Sequence, residues 1–489
     1  MINVTTFLDA NACRLNKPVY YNIDRNKRYN SRQILGIVSY LGRKLIELGI
    51  KKEDRVLIYL PNSPEYLFSF LAIWRIGAVA IPTNRINTIP ELEYYINDAG
   101  AKLIITDEEI DELDIGTYIV PNLDEYMDEP ILEATNTSWD DLCQLQYTSG
   151  TTGKPKGAML THGNWFSAIQ NECDVLKMTD ESVMFCIYPM AHVGISWVIA
   201  ALRKAALCIT KNSYTFPEYL DIIYENQVTH ATGMPPVIHS IVSNPELVGN
   251  KLYSVKSIVS GGGPLHKEIW KKFYKKYGIA VLNAYGSSET IVIGTGTVIR
   301  PEDYAFADRF ESVGHPVCFT EVKIVDTENP DEELDTNTPG EVALRGPSTA
   351  KGYWNKPEAN KKSFLDNGWF LSGDIGYIDE DNRLFITDRK KDMIIMSGWK
   401  IYPTEVEEVL LGYDAVDEIA IFSMPHEHRG EIPVAAVIWK NQNDEEGLLE
   451  YARKNLARYK IPREIYTVNE LPRVNNWKLL RRELKKIIQ

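Results

Sequence analysis

The run Tyr147-Thr148-Ser149-Gly150-Thr151-Thr152-Gly153-Lys154-Pro155-Lys156-Gly157 carries more chemistry than any other stretch of this 489-residue chain. It packs hydroxyls, glycines and two lysines into eleven residues. Glycines let a backbone turn sharply and bring N–H groups close to a ligand. Hydroxyls donate hydrogen bonds, and lysines set charge against phosphate oxygens. An exposed Gly/Ser/Thr turn is the bland alternative. The P-loop pattern G-x-x-x-x-G-K-[ST] fails twice. Thr148 stands where its first glycine belongs, and Pro155 stands where a magnesium-binding hydroxyl belongs. The stretch reads as a phosphate loop of another kind.

Outward from this loop, short apolar runs alternate with helical patterns. Residues 56–60 read as a buried strand closed by Pro61-Asn62, and 65–76 as a helix ending before Gly77. Residues 103–106, 183–188, 342–345 and 419–422 are further expected strands. This alternation points to α/β architecture with largely parallel sheets. A boundary is expected near residues 388–392. Beyond it, Thr404-Glu405-Val406-Glu407 has capping-box form and is expected to open a helix with Val406, Val409 and Leu410 on one face. A strand pair, 419–422 and 434–439, precedes more helix, as a small separate α+β domain requires.

Hydrophobic content of 44% supports a large core and more than one domain. A net charge of −14 argues against nucleic acid or an anionic membrane as partner. Cys13, Cys143, Cys173, Cys186, Cys208 and Cys318 are scattered without metal-ligand spacing, as thiols in a reducing compartment would be. The first ten residues lack a signal-peptide pattern, and no run of 18 apolar residues occurs, so a cytoplasmic protein is expected.

The loop resembles the signature of the adenylate-forming superfamily: acyl-CoA synthetases, adenylation domains of peptide synthetases and firefly-type luciferases. The likeness spans nearly the whole chain, in family order. Residues 71–84 resemble an early motif, and Ser260-Gly261-Gly262-Gly263-Pro264-Leu265 resembles S-G-G-A-P-L. Ala284-Tyr285-Gly286-Ser287-Ser288-Glu289-Thr290 resembles Y-G-x-T-E. Leu371-Ser372-Gly373-Asp374 resembles T-G-D, and Thr387-Asp388-Arg389-Lys390-Lys391-Asp392 resembles G-R-x-K-D. Leu471-Pro472-Arg473 through Lys478 resembles the closing L-P-K-T-x-x-G-K, with Trp477 in place of the usual glycine.

The resemblance implies a large N-terminal domain, 1–388, of parallel-rich sheets packed with helices plus a β-barrel-like subdomain. A hinge at 389–391, turning at Lys391, and a small mobile α+β domain, 392–489, would follow. It implies an AMP-forming ligase that uses ATP, Mg²⁺ and coenzyme A. Thr148, Ser149, Gly150, Thr151, Thr152, Gly153, Lys154 and Lys156 would hold the phosphates. Glu289, with Thr148, would bind Mg²⁺, and Ser288 would contact the α-phosphate. Gly261, Gly262, Gly263, Tyr285 and Gly286 would line the adenine. Asp374 would accept from the ribose hydroxyls, with Arg389 reaching ribose and phosphate. Lys478 would bridge the attacking carboxylate and the α-phosphate. Ser397, Gly398 and Trp399 would face the thiol tunnel.

For the acid, Tyr188-Pro189-Met190-Ala191-His192-Val193-Gly194 resembles the stretch bordering the acyl pocket. His192, Met234 and Gly286 are its expected walls. No aspartate lies between Pro189 and Trp197 to hold an ammonium group, so an amino acid is disfavoured. Acetate-specific relatives place tryptophan near Gly286, so glycine there favours a medium- or long-chain fatty acid or an aryl acid. No carrier domain follows Gln489, so free CoA is the expected acceptor. Two alternatives stay open: an acyl-AMP ligase loading a separate carrier protein, and a non-catalytic nucleotide-binding homologue. A homodimer is the expected assembly.

Overall fold

The computed structural model describes the chain except residues 1–2, 14–15, 149–153, 264, 307–309, 397–398, 427, 475–477 and 489. It folds as two compact units, Met1–Val322 with Leu344–Phe370, and Lys323–Ala343 with Leu371–Gln489.

The first unit grows from apolar runs too continuous for a strand with one wet face. In Arg55–Leu60 every residue after the first is buried. A strand apolar on both faces needs cover on both, which parallel sheets flanked by helices provide. The strands are β1 (Pro18–Asn22), β2 (Lys27–Asn30), β3 (Arg55–Leu60), β4 (Val79–Asn84), β5 (Leu103–Thr106), β6 (Thr117–Ile119), β7 (Leu142–Thr148) and β8 (Lys156–Thr161). They continue with β9 (Val183–Cys186), β10 (Leu207–Thr210), β11 (His230–Thr232), β12 (Ser257–Gly261), β13 (Ala280–Ser287), β14 (Val292–Val298) and β15 (His315–Pro316).

Six of them form one sheet in the order β6-β5-β3-β4-β7-β8, parallel except for the β7–β8 hairpin. The other sheet runs β15-β14-β13-β12-β11-β9-β10-β1-β2 and is parallel from β13 through β1. The α/β class with parallel-rich sheets is as expected. Helix starts are set locally. Ser63 accepts from the Tyr66 N–H and Pro64 takes the first position of the helix Pro64–Arg75. Thr161 and Asn164 close a capping box at the helix His162–Val175.

The strand order reverses beside β9, which has β10 on one side and β11 on the other. Such a switch point leaves a crevice at the carboxyl ends of the strands, the usual ligand position in open α/β sheets.

Most of β16 (Glu321–Val325), β17 (Gly340–Arg345) and β18 (Phe370–Ile378), and all of β19 (Leu384–Arg389), belong to the second unit; the four form a sheet in that order. Then come β20 (Ile394–Met396), β21 (Trp399–Ile401), β22 (Val416–His426), β23 (Gly430–Trp439) and β24 (Ile465–Thr467). They make a sheet ordered β21-β20-β23-β22, with β24 on β23. A short hairpin, β25 (Arg473–Val474) and β26 (Lys478–Leu479), precedes the helix Arg481–Ile488.

The expected capping box at Thr404 does not form. The helix there is Pro403–Leu410, with Tyr402 as its cap and no side-chain cap bond. Glu407 turns inward, accepting from the Ile421 N–H at 2.7 Å and from Arg481 at 2.7 and 2.9 Å. Arg481 also donates to the Ile421 carbonyl at 3.0 Å. A buried ion pair has displaced a local cap.

Two buried histidines make stability depend on pH. Burial pushes His162 and His230 down to about 4. In the unfolded chain each titrates near 6.5. Between these values the unfolded chain binds more protons, so stability is full above about pH 6.5 and falls as pH drops toward 4. The loss is up to about 3 kcal/mol per histidine. The urea midpoint is expected to fall across that window, and both imidazole resonances to stay unshifted from pH 8 to about 5. Ordinary titration near 6.5 would refute this.

Candidate active site

The β7–β8 hairpin carries the glycine-rich loop, and its register pairs Thr148 with Lys156. Ser149, Gly150, Thr151, Thr152 and Gly153 lie outside the described residues. Both loop lysines rest on tyrosine rings. Lys154 Nζ is 5.4 Å from the centroid of Tyr94, and Lys156 Nζ is 4.6 Å from that of Tyr353. The Tyr94 hydroxyl donates to the Pro155 carbonyl at 2.8 Å. Behind it, Asp98 accepts from Tyr147 at 2.8 Å and pairs with Lys356. Burial and that carboxylate push the Tyr147 phenol far up, so it stays a donor.

Strands β7 and β8 pack against a short 3-10 turn, Ser288–Thr290, which presents Glu289. Glu289 is 8% exposed. Its Oε1 accepts from the Tyr353 hydroxyl at 2.8 Å, and its carbonyl from the Ala350 N–H at 2.7 Å. Ser288 is half-buried at the start of the turn. Gly261, the last residue of β12, is the register partner of Ala284 within β13, one residue before Tyr285. A Cβ on Gly261 would stand 2.9 Å from the Ala284 carbonyl oxygen, and Gly262 has φ +82°.

The stretch 187–194 follows β9 and borders the crevice between β9 and β11. It is pinned by two side chains. Asn62 accepts from the Met190 N–H at 2.8 Å, and Gln146 donates to the Ala191 carbonyl at 3.2 Å. Gln146 lies two residues before Thr148, so one strand braces this stretch and leads into the glycine-rich segment. His192 is exposed on a turn before the helix Ile195–Arg203. Met234, two residues after β11, is half-buried and packs on a mixed aliphatic and aromatic cluster. Trp197 is fully buried core.

In the second unit, β18 and β19 pair Asp374 with Arg389, and Arg389 Nε lies 3.0 Å from Asp374 Oδ1. Lys391 is exposed on the turn after β19, within this unit. Lys390 beside it is tied down, donating to Glu341 at 2.8 Å and to the Thr327 carbonyl at 2.6 Å. Trp399 is exposed and stacks on Tyr459 at 4.8 Å. Ser397 and Gly398 lie outside the described residues, as does Trp477. The backbone of Lys478 is on β26, but its side chain is not described.

The AMP-binding enzyme pattern matches residues 7–354, and the AMP-binding enzyme C-terminal domain matches 405–478. The chain belongs to the AMP-binding enzyme family. It is 32% identical over 471 residues to 4-coumarate–CoA ligase 3 of Arabidopsis thaliana, covering 90% of this chain and 83% of that one. It is 31% identical over 492 residues to the long-chain-fatty-acid–CoA ligase FadD13 of Mycobacterium tuberculosis, covering 95% and 94%. Among solved structures, ATP-bound MatB from Rhodopseudomonas palustris superposes with a TM-score of 0.91 at 27% identity, covering 100% of both chains. Membership places the chain in the adenylate-forming superfamily, as its motifs imply.

Within this AMP-binding enzyme, Gly286 has a reason to be glycine that motif reading missed. A Cβ there would stand 1.6 Å from the Val292 carbonyl oxygen. Close backbone approach, rather than room for an acid, requires it. Tyr353 and Tyr94 were also missed. Tyr353 lies 64 residues from Glu289, and no local spacing announces it. Gly286→Ala is expected to shift the Glu289 turn and weaken ATP affinity by about tenfold or more, read by calorimetry. Unchanged ATP affinity with a preference for smaller acids would restore the pocket reading.

Proposed function

We propose that this chain joins a carboxylic acid to AMP at the Glu289 turn and the phosphate loop, then passes the acyl group to coenzyme A. Adenylate-forming CoA ligase chemistry follows from its family and its relatives, and ATP, Mg²⁺ and CoA are the reactants of that chemistry. The observation that carries the site assignment is Glu289. It is a buried carboxylate on a strained turn against the phosphate-loop hairpin.

The residues present fit magnesium bound through ATP. Among the described residues no group of three or more His, Cys, Asp or Glu could cage a metal. Magnesium commonly takes one or two carboxylates and completes its shell with phosphates and water. Glu289 supplies the carboxylate and Thr148 a hydroxyl. Bound there, the ion would neutralise phosphate charge.

A carboxylate attacking ATP brings two anions together, so local cations decide the barrier. Lys154 and Lys156 supply them beside the loop, where Ser149, Thr151 and Thr152 add hydroxyls and Gly150 and Gly153 add backbone N–H groups. The carboxylate oxygen bonds to the α-phosphorus and pyrophosphate leaves. Ser288 holds the α-phosphate, and Gly261–Gly263 with Tyr285 flank the adenine. Asp374 accepts from the ribose, with Arg389 beside it. Lys478 stabilises the charge developing between the carboxylate and the α-phosphate. The CoA sulfur, passing Ser397, Gly398 and Trp399, then bonds to the acyl carbon and AMP leaves with its electron pair.

We also propose a working division into 1–388, a hinge at 389–391 and 392–489. The exposed turn position of Lys391 supports the hinge. The acid is an aryl acid or a medium- or long-chain fatty acid, bordered by His192 and Met234. The 4-coumarate and long-chain relatives support both classes. No helix among the described residues is long and apolar enough to cross a membrane. Six free cysteines support a reducing cytoplasm. A homodimer is the proposed assembly, for sedimentation to check.

The deciding experiment is pyrophosphate release from ATP and Mg²⁺ across a panel of carboxylic acids, with and without CoA. Acid-dependent release, faster with CoA, is expected, together with a drop of about a hundredfold or more in Lys478→Ala. ATP binding with no release from any acid would sink the reading.

A further inference from the structure

Tyr353 touches two parts of the site that reach it from different elements. Its hydroxyl donates to Glu289 Oε1 at 2.8 Å, and its ring face carries Lys156 Nζ at 4.6 Å. The tyrosine itself is tightly held. Its N–H donates to Asn360 Oδ1 at 2.6 Å, and its carbonyl accepts from Asn360 Nδ2 at 3.0 Å. It bridges Ala158 on β8, and its ring meets Phe364 edge-on at 5.3 Å. On either side, Ala350 donates to the Glu289 carbonyl and Trp354 to the Gly157 carbonyl at 2.8 Å. The segment 350–354 thus clasps both the Glu289 turn and the exit of the phosphate loop.

We propose that Tyr353 is a positioning residue for ATP and its divalent cation, aiming the Glu289 carboxylate at the metal and holding Lys156 ready for phosphate. The proposal rests on the reading of Glu289 given above. A carboxylate tied through one oxygen presents the other in a fixed direction. Magnesium demands near-ideal octahedral geometry, so that direction matters. The ring does a second thing. An ammonium paired directly with Glu289 would compete with the metal for it. Among the described residues Lys156 makes no ion pair with Glu289, and the aromatic face accommodates the cation without neutralising it.

The test uses the full chain and Mn²⁺ as the metal probe, with binding read by electron paramagnetic resonance in the presence of ATP. Tyr353→Phe keeps the ring and removes the hydroxyl. It is expected to weaken Mn²⁺ by about tenfold, leaving metal-free ATP binding and the melting temperature near wild type. Tyr353→Leu removes both and is expected to weaken metal-free ATP as well. Glu289→Gln separates the two claims. If it loses Mn²⁺ while Tyr353→Phe binds like wild type, the tyrosine proposal is overturned and the Glu289 assignment stands. If Glu289→Gln also binds like wild type, the metal lies elsewhere and both fall. Neither result depends on finding the natural acid.

Discussion

The turn that presents Glu289 is first of all a backbone constraint. Gly286 passes so close to Val292 that no Cβ fits between them. Ile291 and Val292 both take φ of 51°, a left-handed conformation that β-branched residues rarely adopt. Each such residue costs about 1–3 kcal/mol and persists where the surroundings over-determine it. Here they do. The Thr290 hydroxyl bonds Val292 at 3.2 Å and Ser287 at 3.0 Å, and Ala350 caps Glu289 from outside. Further along, Gly294 lets β14 press against Ala168 and Ser348. The phosphate-loop hairpin then has one surface to pack against, and Tyr353 one carboxylate to meet.

Charge is distributed with the same economy. A net charge of −14 leaves the molecule anionic, yet the reaction it hosts gathers anions. Elsewhere cations are spent on carboxylates: Lys356 on Asp98, Lys390 on Glu341, Arg481 on Glu407. The two loop lysines rest on rings instead. A ring attracts an ammonium through its quadrupole and leaves the full charge in place. Overall charge speaks to solubility and gross partners, while the local field follows from which cations stay unneutralised.

Parts of this arrangement were legible in the sequence. The strand 103–106 was expected where β5 lies, and 56–60 falls within β3, because a short continuous apolar run has few other uses. The glycine-rich loop stood out by composition, and its residues 149–153 lie outside the described residues. The Asp374–Arg389 contact was not legible, because it depends on hairpin register rather than spacing. The capping box at Thr404 was misread because Glu407 answers to Arg481, 74 residues on, and that bidentate, partly buried ion pair holds its carboxylate away from the cap. Tyr353 was invisible for the same reason: its meaning lies in partners that the fold supplies.

The acid is where these two levels meet. Gly286 cannot report on pocket size, because any side chain there would strike backbone first. Overall likeness does not choose either, since an aryl-CoA ligase and a long-chain ligase stand at 32% and 31% identity. Both facts have one cause. On the proposed reading, the nucleotide is held by turns and hairpins that the fold constrains tightly, and these are indifferent to the acid's tail. On the proposed reading, selection of the tail falls to 187–194 and Met234, which follow β9 and β11. Within that stretch, Met190 and Ala191 are held through their backbone groups by Asn62 and Gln146. Gln146 thereby ties this stretch, through the Ala191 carbonyl, to the strand that ends at Thr148.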